Sequence, residues 1–260
     1  MRITSPAIGP ALTADARMLI AGLALAAWFR AVGFDPQWRR YWRQYLVTGL
    51  LTSAAPFLLF AYAALKLPAG LMAVINASSP IWGALFSAWL LGERLSGRAV
   101  TGLAIGVAGV ALVTRPAAGA AFAVLPALAA IGAAMCYGLA ATYMRRWAKD
   151  VPSRGMALGT QLAGAVMLAP LVALTPPAAL PTPFVAACLL AMGLLCGAVA
   201  YLLYFRLVTD IGAAGALTVT YLIPIFGVAW GAAFLGETVS PLMLGGAALV
   251  LLGTFFVLRK

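Results

Sequence analysis

Residues 76–96 read NASSPIWGALFSAWLLGERLS, and residues 220–240 read TYLIPIFGVAWGAAFLGETVS. Laid together at an offset of 144 residues, Pro80-Ile81 meets Pro224-Ile225 and Gly83 meets Gly227. Leu91-Gly92-Glu93 meets Leu235-Gly236-Glu237, and Ser96 meets Ser240. The register continues outward in both directions. Gly102 falls on Gly246 and Gly109 on Gly253, so that residues 66–115 align without a gap to 210–259 with fourteen identities. Upstream, Gly49-Leu50-Leu51 falls on Gly193-Leu194-Leu195, and Arg17 on Gln161. Chance does not hold one register through four helices; the chain is an internal duplication. Its units divide as 1–118 and 119–260.

Lipid is the solvent for most of this chain. Of its 260 residues 64% are hydrophobic and 9% charged, where a soluble surface needs roughly 25% charge. Ala/Leu/Val/Gly runs without period-2 alternation choose helices over a barrel. Apolar segments of about 20 residues, enough to span the hydrocarbon, are read near 13–30, 45–65, 69–91, 98–114, 122–144, 155–175, 183–208, 213–235 and 241–258. The fold class expected is an all-α integral membrane protein of nine transmembrane helices, four in the first unit and five in the second. The helix at 122–144 has no mate in the first unit, so a shortened first unit or a start codon placed too late is expected. Five helices per complete unit make consecutive units enter the bilayer in opposite directions, the inverted-repeat design of many secondary transporters.

Charge gives the orientation. Arg30, Arg39, Arg40, Arg43, Arg94, Arg98, Arg145, Arg146, Lys149, Arg154, Arg206, Arg259 and Lys260 lie at one set of alternating ends; Arg2, Arg17, Lys66 and Arg115 lie at the other. The positive-inside rule puts the C-terminus in the cytoplasm. Trp28, Trp42, Tyr45, Trp89, Tyr143 and Trp147 are then expected at cytoplasmic helix ends as an aromatic belt. Topology accounts for the net charge of +11 without a nucleic-acid partner. No cleavable signal peptide is expected, since the first residues lack an apolar core. With no histidine and with Cys136, Cys188 and Cys196 inside apolar runs, neither a metal site, a cofactor nor a disulfide framework is expected.

The paired motifs resemble those of the drug/metabolite transporter superfamily, in its EamA-type branch of ten-helix exporters. The matching residues are Ser79-Pro80-Ile81-Trp82-Gly83 with Leu91-Gly92-Glu93-Arg94 and Gly102 through Gly109. Their second copy is Ile223-Pro224-Ile225-Phe226-Gly227 with Leu235-Gly236-Glu237-Thr238 and Gly246 through Gly253. The resemblance implies a two-fold pseudosymmetric bundle around a central cavity, carrying amino acids, nucleotide-related metabolites or drugs, usually outward, across the inner membrane. Its partners would be a small-molecule solute and the lipid bilayer.

Candidate residues follow from polarity at depth. Pro80 and Pro224 read as mid-helix kinks that free backbone polar atoms. Asn76 and Ser79 share a helical face near the first, and Thr218, Thr220 and Tyr221 stand near the second. Tyr137 and Gln161 are polar groups inside apolar runs. Asn76, Ser79, Tyr137, Gln161, Thr220 and Tyr221 either line a solute cavity or tie neighbouring helices together. Trp82 and Trp230 stack on solute or face lipid. Ser96 and Ser240 read as N-caps with Pro241 in the first turn, placing Glu93 and Glu237 near the positive end of the following helix, or at a gate. Arg17 reads as a snorkelling anchor or an anion-attracting charge near the outer surface, with Asp15 nearby. Gly102-x-x-x-Gly106 is a close-packing pattern. No acidic residue falls mid-segment, so uncoupled diffusion or exchange is expected rather than proton-driven flux. Catalytic constellations expected of a membrane enzyme, and the charged rings or carbonyl filter of a channel, do not occur.

Overall fold

A chain dissolved in lipid must satisfy its own backbone, and among the described residues it does so in helices, with no strand. The structure, a computed structural model, describes residues 1–114, 124–177, 180–216, 219 and 221–258. Among the described residues seven helical stretches are long and apolar enough to cross a bilayer: Pro10–Ala31, Trp38–Ala63, Ala69–Leu91, Val124–Trp147, Ser153–Leu174, Pro183–Leu207 and Pro241–Leu258. Two shorter apolar helices, Gly97–Val113 and Leu222–Leu235, lie within or beside the remaining predicted segments.

Several stretches are interrupted in informative ways. A short α1 (Thr4–Ile8) precedes α2 (Pro10–Ala31), with Gly9 between them and Pro10 opening the second helix, a position where its missing N–H costs nothing. The next span joins α3 (Trp38–Gly49) to α4 (Ala55–Ala63) through a π-helical segment, Leu50–Ala54. The span after that breaks into α5 (Ala69–Asn76) and α6 (Ser79–Leu91). At the break, Ser78 Oγ donates to the Ile75 carbonyl and Ser79 Oγ to the Asn76 carbonyl, both at 2.6 Å. Pro80 is thus the second residue of a new helix rather than a mid-helix kink. The following helices are α7 (Gly97–Val113), α8 (Val124–Trp147) and α9 (Ser153–Leu174). Then α10 (Pro183–Ala191) runs through a second π-helical segment, Met192–Val199, into α11 (Ala200–Ala216). Last come α12 (Leu222–Leu235), with Pro224 in its first turn, and α13 (Pro241–Leu258). Gly92 and Gly236 end α6 and α12 at φ of 66° and 63°, the left-handed cap that glycine adopts without a Cβ penalty.

The helices gather into two compact units, each drawing on both halves of the sequence. One comprises Met1–Tyr62 with Tyr143–Ala216, and the other Ala63–Thr142 with Leu217–Lys260. In the second, α7 and α13 pack antiparallel through glycine: a Cβ on Gly102 would lie 2.6 Å from the Gly253 carbonyl oxygen, and one on Gly109 would lie 2.9 Å from that of Gly246. These two contacts are the same contact related by the 144-residue offset. In the first, α2 and α9 run antiparallel, Gly22 meeting Leu162 and Gly164 meeting Met18.

Tyr45 departs from the expected belt. Trp28, Trp42, Trp89 and Trp147 are exposed, but Tyr45 is buried, and its hydroxyl donates to the Pro36 carbonyl at 2.7 Å. Gly155 and Gly159 on α9 leave the room its ring fills.

Candidate functional site

The deepest polar cluster lies in the first unit, where α2, α9 and both π-helical segments meet. Gln161, the ninth residue of α9, is fully buried. Its Nε2 donates to Ser53 Oγ at 3.5 Å, while its Oε1 is buried without a partner. Tyr201 donates to the carbonyl of Thr52, the residue before Ser53, at 2.9 Å. Arg17, the eighth residue of α2, sets its guanidinium 3.8 Å from the centroid of the buried Phe57 ring. The Phe57 and Tyr201 rings stand edge to face with centroids 6.4 Å apart.

The local sequence explains this convergence. Thr52 and Ser53 belong to the segment Leu50–Ala54, and Tyr201 follows directly on Met192–Val199. A π-helical turn loosens the i→i−4 ladder and recurs at functional sites. Gly193 and Gly197 let the second segment approach α2, since a Cβ on Gly193 would stand 3.2 Å from the Arg17 carbonyl oxygen and 2.5 Å from Ile20. The offset that lays Arg17 on Gln161 also lays Phe57 on Tyr201. An arginine over a phenylalanine therefore mirrors a glutamine beside a tyrosine. Ser53, Thr52, Phe57 and Tyr201 were not singled out from the sequence, although the 144-residue offset relates the last two.

Charge is unbalanced here. Arg17 Nε is buried without a hydrogen-bond partner, and no carboxylate pairs with Arg17 among the described residues. The Met1 amine, which donates to Met192 Sδ at 3.1 Å, is pushed down to about 6, by burial first and by the Arg17 charge second. Arg17 is thus no simple surface anchor. Helix α2 begins at Pro10, three residues before the predicted start, so Arg17 lies about 10 Å along the axis from its first residue. Asp15, the sixth residue of α2, is 8% exposed with Oδ1 unpartnered, and like Arg17 it falls in the first half of the 22-residue helix, short of its middle.

The other candidates belong to the second unit, apart from Thr220 and Thr218, which lie outside the described residues. Asn76 and Ser79 do meet, Ser79 Oγ lying 3.4 Å from Asn76 Oδ1 across the α5–α6 break. Trp82 Nε1 donates to Ser78 Oγ at 3.1 Å, and Trp230 is 54% exposed in a ring ladder with Phe226 and Phe234. Tyr137 and Tyr221 are partly buried. Ser96 Oγ accepts from the Ala99 N–H and Ser240 Oγ from the Met243 N–H, at 3.2 and 3.1 Å. Glu93 is exposed in the loop after α6. Glu237 does something the sequence did not suggest: its carboxylate accepts from the Ala69 and Gly70 N–H groups at 2.8 and 3.2 Å. It thereby caps the start of α5. Among the described residues no three His, Cys, Asp or Glu side chains cluster to hold a metal ion.

A family model described as the EamA-like transporter family matches residues 1–115 and again 124–259. The chain belongs to the EamA-like transporter family. It is a multi-pass membrane protein of the drug/metabolite transporter superfamily, as the paired motifs implied. Among the relatives of this EamA chain, "Uncharacterized transporter YvbV" of Bacillus subtilis (strain 168) is 29% identical, covering 96% of this chain and 83% of its own length. "Probable terminal-alkyne amino-acid exporter" of Streptantibioticus cattleyicolor is 25% identical, covering all of this chain and 88% of its own. A solved crystal structure superposes with a TM-score of 0.70 at 24% identity, covering 97% of this chain and 88% of that one; that likeness concerns the fold. Family and relatives point to a transporter rather than an enzyme.

Proposed function

We propose that this chain is a secondary transporter that exports a small amino-acid-like metabolite across the inner membrane by alternating access. The observation that carries the reading is the buried cluster around Gln161 and Arg17, whose donor and acceptor atoms no described residue fills. Such atoms at depth in a spanning helix mark a solute path. The duplication into 1–118 and 119–260 supports it, because two related units supply the two-fold frame that rocking carriers use. The relative named as an amino-acid exporter points the same way for cargo. The charge asymmetry of the helix ends sets the C-terminus in the cytoplasm.

Two measurements test this. Proteoliposomes holding the purified chain should take up labelled L-leucine faster than empty vesicles and show counterflow when preloaded. Failure to carry leucine or other amino acids would defeat the cargo assignment. A reporter fused after Lys260 should behave as cytoplasmic and one placed in residues 176–182 as external; reversed signals would overturn the orientation.

A further inference from the structure

The repeat puts two chemically opposite groups at equivalent places. Arg17 can only donate hydrogen bonds, and its Nε donor is buried and unfilled. Gln161 donates one N–H to Ser53, and its carbonyl Oε1, an acceptor, is buried without a partner. One side asks for an anion or acceptor and the other for an N–H donor. The two are linked through aromatic rings and the first π-helical segment: Arg17 lies over Phe57, whose ring meets that of Tyr201, and Tyr201 donates to the carbonyl of Thr52 beside Ser53, the partner of Gln161.

We propose that Arg17 and Gln161 form the two poles of one binding site, Arg17 receiving the carboxylate of an α-amino acid and Gln161 Oε1 its ammonium. The inference rests on the transporter reading above and adds the head-group chemistry. A zwitterion satisfies both unfilled atoms in one step. A simple amine leaves the guanidinium unpaired, and a simple acid leaves the acceptor unpaired; each omission costs the desolvation of a buried polar group. Arginine suits this role because its charge persists at any ordinary pH and its donors form a planar fork that fits a carboxylate. Holding that fork over the Phe57 ring orients it without neutralising it. Glutamine at the mirror position supplies an acceptor with no charge to bury. The duplicated frame thus acquires a direction: the solute enters one way round.

The test uses the full chain in detergent and three probes of one shape: L-leucine, 4-methylpentanoate (leucine without its amine) and 3-methylbutylamine (leucine without its carboxylate). Ligand-induced shifts of the melting temperature, titrated for each probe, give apparent affinities without requiring flux. Arg17→Gln should weaken leucine and 4-methylpentanoate by roughly 10- to 100-fold, the range for a lost charged hydrogen bond, and leave the amine unchanged. Gln161→Leu should weaken leucine and the amine by about 10-fold and leave the acid unchanged. Arg17→Lys keeps the charge, should fall between wild type and Arg17→Gln, and serves where Arg17→Gln does not melt cooperatively. Leucine binding by the wild type that survives both substitutions would overturn the site and leave the transporter reading standing. Equal loss for all three probes would overturn the division of roles and show a packing effect. Absence of both leucine binding and leucine uptake in the wild type would instead remove the amino-acid reading on which the site rests.

Discussion

In the unit formed by Ala63–Thr142 and Leu217–Lys260, buried polar side chains find partners within the protein. Ser87 and Thr142 share a hydrogen bond of 3.1 Å, Thr254 donates to the Ala77 carbonyl at 3.2 Å, and Glu237 accepts from two amides at the start of α5. In the unit formed by Met1–Tyr62 and Tyr143–Ala216 the situation reverses. Buried atoms of Thr4, Ser5, Thr13, Asp15, Arg17, Gln44 and Gln161 have no partner, and no such atom occurs among the described residues of the other unit. Both π-helical segments also belong to this unit. An unfilled buried polar atom costs about 1–3 kcal/mol, so a fold retains a group of them where something other than its own side chains fills them. The one unit satisfies its buried polar atoms internally, and the other carries the unsatisfied ones on which the proposed solute site rests.

Four substitutions probe that contrast. Gly253→Leu should have the largest effect. Its Cβ would meet the Gly102 carbonyl oxygen and the Gly106 nitrogen at 2.6 Å, and backbone cannot yield as a side-chain tip can. A loss of about 3 kcal/mol or more is expected, read as collapse of the monodisperse peak on size exclusion. Glu237→Ala removes an acceptor shared by two amides and a charge at a helix N-terminus, and should cost about 2 kcal/mol in thermal melting. Thr142→Val strips hydrogen bonds to Ser87 and to the Gly138 carbonyl, for a loss of about 1 kcal/mol with leucine flux intact. Gln161→Leu is expected to break the pattern: melting unchanged or raised by about 1 kcal/mol, because an unfilled acceptor goes, while flux falls. If Gln161→Leu destabilises the protein as Thr142→Val does, the two units do not differ as described.

The sequence made the spans and the duplication legible because both are written in local composition and register. Pro80 was read as a kink inside one helix, whereas α5 stops at Asn76, the residue whose carbonyl Pro80 has no N–H to reach, and Ser79 Oγ takes that carbonyl instead. The helix carrying Arg17 and Asp15 was started at the first apolar run, whereas Pro10 opens α2 three residues earlier. Tyr45 went to the belt by its neighbours, but its burial depends on Gly155 and Gly159, more than a hundred positions away. Glu237 gave no hint of its partners at 69 and 70 for the same reason. Gln161 was found because a lone amide inside an apolar run is costly wherever it sits. Its companions Thr52, Ser53 and Tyr201 were passed over, as hydroxyls can return to their own helix and so carry little signal.

The two π-helical segments also record a history. Leu50–Ala54, moved by 144 residues, falls within Met192–Val199. A π-turn holds one residue more than an α-helical turn, and both halves carry theirs at the equivalent place. Arg17 and Gln161, by contrast, put different chemistry at equivalent positions, so the two copies have kept the backbone irregularity while their side chains diverged.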